Sequence, residues 1–166
     1  MTKTLEQRVA LIEDREAIAA LQFRYINLND GGWGQPTHRD PDAVADLFTE
    51  DGEWIGPLET MRAVGRIEIA ELFQQFQAIP FIIHNVMNQL IEVDGDRARA
   101  EWHAIVASTF PGGQAFWTLG RYHNRYLRTA DGWRYTSMSF ETAAASPYEK
   151  GWGVEQFMGA EASVVD

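Results

Sequence analysis

Three turn signals divide the second half of the chain into four long β-rich runs, and this punctuation limits the fold more than any other feature. The runs 81–93, 97–109, 114–128 and 133–142 are separated by Asp94-Gly95, Pro111-Gly112-Gly113 and Asp131-Gly132. Asp-Gly suits a two-residue hairpin because both central residues of a type I′ turn need positive φ, which glycine adopts freely and aspartate tolerates. Four antiparallel strands in a meander are expected. Along the second run Arg97, Arg99, Glu101 and His103 alternate with Ala98, Ala100, Trp102, Ala104 and Val106. One sheet face is therefore polar and the other needs covering.

The first half supplies the cover. Leu5, Val9 and Ile12 recur at helical spacing, and Ile18, Leu21 and Tyr25 continue the pattern on a second segment, with Asp14 between them as an N-cap. Residues 30–39, with Gly31, Gly32, Gly34 and Pro36, have the composition of a surface loop. Asp40-Pro41 reads as an N-cap followed by proline at the first helical position, opening a helix through Val44, Leu47 and Phe48. After the Asp51-Gly52 turn, 53–55 reads as a short strand and 65–76 as a helix with Ile69, Leu72, Phe73 and Phe76 on one face. Helices followed by a long antiparallel sheet make an α+β layer arrangement, a cone-shaped α+β barrel in which the N-terminal helices pack into a curved sheet around one apolar pocket. A length of 166 residues fits one such domain, over 1–141. Residues 142–166, with Tyr148, Trp152 and Phe157, read as a tail packing on the domain or on a neighbouring subunit.

Composition removes several functions. A formal charge of -10, from 14 Lys and Arg against 24 Asp and Glu, argues against nucleic acid as partner, since phosphate backbones are bound by cation-rich surfaces. The absence of cysteine removes disulfides, thiolate nucleophiles and sulfur-ligated metals, and makes a cytoplasmic location the default. No apolar stretch is long enough to span a bilayer, so no membrane partner is expected.

Beyond these patterns, the segments 15–18, Arg24-Tyr25, Asp30, 47–54, His84 with Asn88, 120–126 and 131–133 together resemble the SnoaL-like branch of the nuclear-transport-factor-2-like superfamily. That branch includes scytalone dehydratase, bile acid 7α-dehydratase and hexachlorocyclohexane dehydrochlorinase. The resemblance implies that Asp30, at the end of the N-terminal helical region, pairs with His84 at the start of the first long strand as a catalytic dyad. It also implies a homo-oligomer, trimer or dimer. Tyr25 falls at a substrate-contacting place where the dehydrochlorinase carries lysine, which argues against dehalogenation. Trp54 falls where the dehydratases carry tyrosine, and reads as a pocket or core residue.

Imidazole is the side chain whose unperturbed pKa suits proton abstraction near neutrality, and a carboxylate on its other nitrogen fixes the tautomer and stabilises the imidazolium. His84 is the expected acid/base and Asp30 its partner. Tyr25, Trp54, Asn88, Trp102, Phe116, Tyr122 and Asn124 are the candidate substrate-binding residues, whereas Tyr126 reads as core. His103 and His123 sit among charged residues on the polar face, without metal-ligand spacing, so no metal and no cofactor is assigned. His38 reads as a solvated loop residue. The expected function is a cofactor-independent lyase or isomerase, of dehydratase type, acting on a small hydrophobic cyclic substrate. The alternative is a non-catalytic ligand-binding protein or accessory subunit of the same fold.

Overall fold

The computed structural model describes residues 3–58 and 60–158. Its first element is one helix, α1 (Leu5–Asn29), where two were expected. Thr4 opens it with a capping box: Thr4 Oγ1 accepts the Gln7 N–H and Gln7 Oε1 accepts the Thr4 N–H. Asp14 caps nothing. Its carboxylate instead takes the Arg128 guanidinium at 2.7 Å and the Trp133 indole N–H at 3.2 Å, and residues 12–20 contain neither glycine nor proline to break the helix.

α2 (Pro41–Ala45) starts as expected, with Asp40 Oδ1 accepting the Ala43 N–H, but stops short of Phe48. The Leu47 carbonyl accepts the Tyr135 N–H at 2.9 Å, which draws the chain into the sheet, and β1 (Phe48–Ile55) begins there. The strand is thus longer than the three residues expected. A short β2 (Arg62–Val64), which no sequence pattern announces, pairs antiparallel with it. α3 (Gly65–Phe76) occupies its expected span. The meander follows as β3 (Phe81–Asp94), β4 (Arg97–Thr109), β5 (Ala115–Thr129) and β6 (Gly132–Pro147).

The six strands lie in the order β2-β1-β6-β5-β4-β3, antiparallel except where β1 runs parallel to β6. The sheet is curved and unclosed, with bulges between Met87 and Leu90 in β3 and at Thr136 and Ala143 in β6, the last two opposite Arg125/Tyr126 and Leu119/Gly120 of β5. Bulges bend a strand and strengthen its twist. Glycine is required at Gly120, opposite the β6 bulge, because a Cβ there would lie 2.2 Å from the Glu141 carbonyl oxygen.

The concave face closes on α1. Ile18, Gln22, Tyr25 and Asn29 recur at helical spacing on the buried side, and Ala98, Ala100, Trp102, Ala104 and Val106 of β4 alternate inward as expected. β6 extends past the expected boundary at 142, so residues 142–147 belong to the sheet. The segment after Pro147 folds back on its own strand: the Ala145 N–H donates to Gln156 and the Met158 N–H to Ala145, both at 2.9 Å. The end of the expected tail, 159–166, lies outside the described residues. Among the described residues no helix is long and apolar enough to cross a membrane.

Candidate active site

The site is built where α1 ends against the free edge of the sheet. At Asp30 the backbone leaves helical geometry for φ -70, ψ 135, while its N–H still donates to the Ile26 carbonyl at 2.8 Å. The Gly31 N–H then donates to the Ile82 carbonyl at 3.0 Å, fastening the loop to β3 two residues from His84. β3 is the sheet's edge, so it carries main-chain groups that no strand pairs. Asp30 Oδ1 fills one such place: it accepts the His84 N–H at 3.0 Å and lies 2.7 Å from His84 Nδ1. Both side chains are nearly buried, each 9% exposed. A carboxylate oxygen only accepts, so Nδ1 carries a hydrogen and Nε2 is the nitrogen left for chemistry.

His84 lines an apolar cavity of about 140 Å³, a volume that takes a single six-membered ring. Phe73 and Phe76 of α3, Ile82 of β3, Val106 and Ser108 of β4, and Thr118 and Phe140 of β5 and β6 form much of its wall. Tyr25, Trp54 and Tyr122, three of the candidate substrate-binding residues, also line it. The Trp54 indole N–H donates to the Tyr25 hydroxyl oxygen at 3.0 Å, which leaves the phenol's own proton available to a bound molecule. Burial raises the Tyr25 pKa, and the nearby Asp30 charge adds to it. Burial, then Tyr25 and Asp30, raise that of Tyr122. Both phenols are therefore donors at any working pH.

The other candidates stand elsewhere. Asn124 shares the inward strand face of Tyr122 but lies deeper, where its Nδ2 donates to Gln22 Oε1 at 2.8 Å and to the Tyr126 hydroxyl at 3.1 Å. Gln22 Oε1 also accepts the Tyr135 hydroxyl, so Asn124 belongs to a buried polar network that holds α1 to the sheet. Trp102 is 1% exposed and packs edge-on against Phe23, away from the cavity. Phe116 is buried beyond the cavity against Phe110, a residue that does line it. Asn88 sits in the β3 bulge with φ +53, which turns its side chain outward to His103 Nδ1 at 3.3 Å.

His38 overturns its expectation as a solvated residue. It is 4% exposed, lines the cavity, and packs on Phe73 and Phe76. Burial, reinforced by His84, pushes its pKa down from 6.5 to about 3, so the ring is neutral. Glycine-rich composition conceals such a residue, because nothing in a loop's pattern states which side chain turns inward. Ser108 and Thr118 were findable: each has the inward parity of its strand.

Fold and site together define a cone of the nuclear-transport-factor-2-like class, with a ring-sized cavity at the open end of a curved sheet. A model of the SnoaL-like domain matches residues 10–139, and the chain belongs to that family. No curated protein sequence matches it at a significant level. Among solved structures, a protein from Novosphingobium aromaticivorans provisionally named an aromatic ring hydroxylase is similar at 28% identity and a TM-score of 0.73, over 82% of this chain and 94% of that one. A provisionally named scytalone dehydratase from the same species is similar at 20% identity and 0.71, over 84% and 89%. A hexachlorocyclohexane dehydrochlorinase from Novosphingobium barchaimii is similar at 18% identity and 0.72, over 84% and 93%. The last two likenesses concern the fold alone.

Proposed function

We propose that this protein is a cofactor-independent lyase or isomerase of dehydratase type, acting on a small apolar ring that bears an oxygen function. The observation that carries this reading is the 2.7 Å contact between His84 Nδ1 and Asp30 Oδ1 on the wall of an apolar cavity. In the proposed elimination, His84 Nε2 takes a proton from a carbon next to a carbonyl. The C–H electron pair forms the new C=C bond as the adjacent C–O bond breaks, and the imidazolium returns its proton to the departing hydroxyl, which leaves as water. Asp30 stabilises the imidazolium meanwhile. In an isomerisation the proton would return to another carbon instead. Tyr25 and Tyr122, both held protonated, suit the negative charge that develops on a carbonyl oxygen.

The names of the dehydratase and dehydrochlorinase neighbours agree with this chemistry. The second reading is a non-catalytic ligand-binding protein or accessory subunit of the same fold, and another neighbour carries the name of an aromatic ring hydroxylase. A panel of cyclic hydroxy-ketones assayed for dehydration separates the two. His84→Ala is expected to lower turnover by roughly 10²–10⁴-fold with ligand affinity changed only a few-fold, and Asp30→Asn to lower it in the same sense. Turnover by wild type that survives His84→Ala would sink the lyase reading.

A further inference from the structure

His38 is a polar side chain in the cavity wall that the elimination leaves unused, and its hydrogen-bonding state is fixed by its neighbours. Asn29 Nδ2 donates to the Tyr25 carbonyl at 2.8 Å, which orients the amide so that Oδ1 lies 2.8 Å from His38 Nδ1. An amide oxygen only accepts, so Nδ1 carries the hydrogen. With the ring neutral at its pKa of about 3, Nε2 is a bare lone pair. That nitrogen is buried and has no hydrogen-bond partner among the described residues.

The chain holds this arrangement against its own preferences. His38 has φ +46, a left-handed conformation that a non-glycine residue keeps only where its surroundings impose it. Here α1 and the segment after α3 impose it. The His38 N–H donates to the Asn29 carbonyl at 3.0 Å, its carbonyl accepts Gln77 Nε2 at 3.1 Å, and the neighbouring Thr37 hydroxyl donates to the Ile79 carbonyl. Buried acceptors are ordinarily satisfied. Of the buried polar side-chain atoms left without a partner among the described residues, His38 Nε2 is on a residue that lines the cavity.

We propose that His38 is a specificity-determining residue whose Nε2 accepts a hydrogen bond from a hydroxyl on the bound ring. The substrate class is then a single hydroxylated ring rather than a hydrocarbon or an ether. A lone pair facing a carbonyl or ether oxygen would repel it, so the residue selects a donor at that position. The inference rests on the cavity being the substrate site, but not on His84 performing chemistry there.

The test is binding without turnover. Phenol, toluene and anisole share one ring, and only phenol carries a donor. Isothermal titration of the intact protein is expected to show phenol preferred, and His38→Phe to reduce the phenol-to-toluene and phenol-to-anisole affinity ratios by roughly fivefold to tenfold. Should His38→Phe fold poorly, nitrogen-15 NMR of the wild type reads the same bond: the His38 Nε2 resonance moves when phenol is added and stays in place with toluene. Unchanged ratios in His38→Phe, a stationary Nε2 resonance, or binding of none of the three ligands would each overturn the proposal. The lyase reading fails separately, through turnover that survives His84→Ala.

Discussion

Two histidines line the same cavity with different partners on Nδ1. His84 faces a carboxylate, which can offset a positive ring, whereas His38 faces an amide oxygen, which cannot carry charge. The folded chain therefore keeps His38 neutral down to a pKa of about 3, while an unfolded chain protonates it below 6.5. Between these values the unfolded state binds the extra proton, so stability falls as pH drops from about 6.5 toward 3. Urea midpoints at pH 7.5 and pH 5 should show that loss in wild type and a smaller one in His38→Gln. How much of the site was legible varied by residue. Asp30 and His84 stand 54 positions apart, and only the family resemblance aligned them. Strand parity turns Trp102 inward and sets Tyr122 and Asn124 on one face of β5, but parity gives the face of a strand and not the depth along it. Asn124 and Trp102 consequently fell in the packed end of the cone.

At the level of elements, the four long runs of the meander and α3 were readable because each is bounded by residues whose backbone demands are strict. α1 was misread as two helices because Asp14 resembles a cap until its partners, Arg128 and Trp133, are seen. β2 has only three residues and exists through pairing with β1, so no periodicity could announce it. The curvature of the sheet was likewise beyond pattern reading. It depends on bulges such as the one in β6 opposite Gly120, where the neighbouring strand leaves no room for a side chain. Gly120→Ala should destabilise the protein by about 1–3 kcal/mol in chemical denaturation. Gly153→Ala, with open space around the position, should change it by less than about 0.5 kcal/mol.

For the molecule as a whole, the cavity is a region that the fold leaves unpacked between otherwise close-packed layers. Interiors normally fill such space, and doing so gains dispersion contacts. Val106 is 6% exposed and lines the void. Val106→Met, with its flexible unbranched side chain, should raise stability by about 0.5–2 kcal/mol and weaken binding of a ring ligand at least tenfold, as calorimetry and denaturation would report together.

The bonds that seat α1 also govern how the chain can acquire its structure during synthesis. Gln22 is held by Asn124 and Tyr135, and Asp14 by Arg128 and Trp133, separations of 102 to 119 positions. None of these partners exists when the helix leaves the ribosome, and at translation rates of about 5–20 residues per second they follow it by roughly 5–20 s. Through that interval the apolar side of α1 lacks its native cover, and the cone can close only after its last hairpin has emerged.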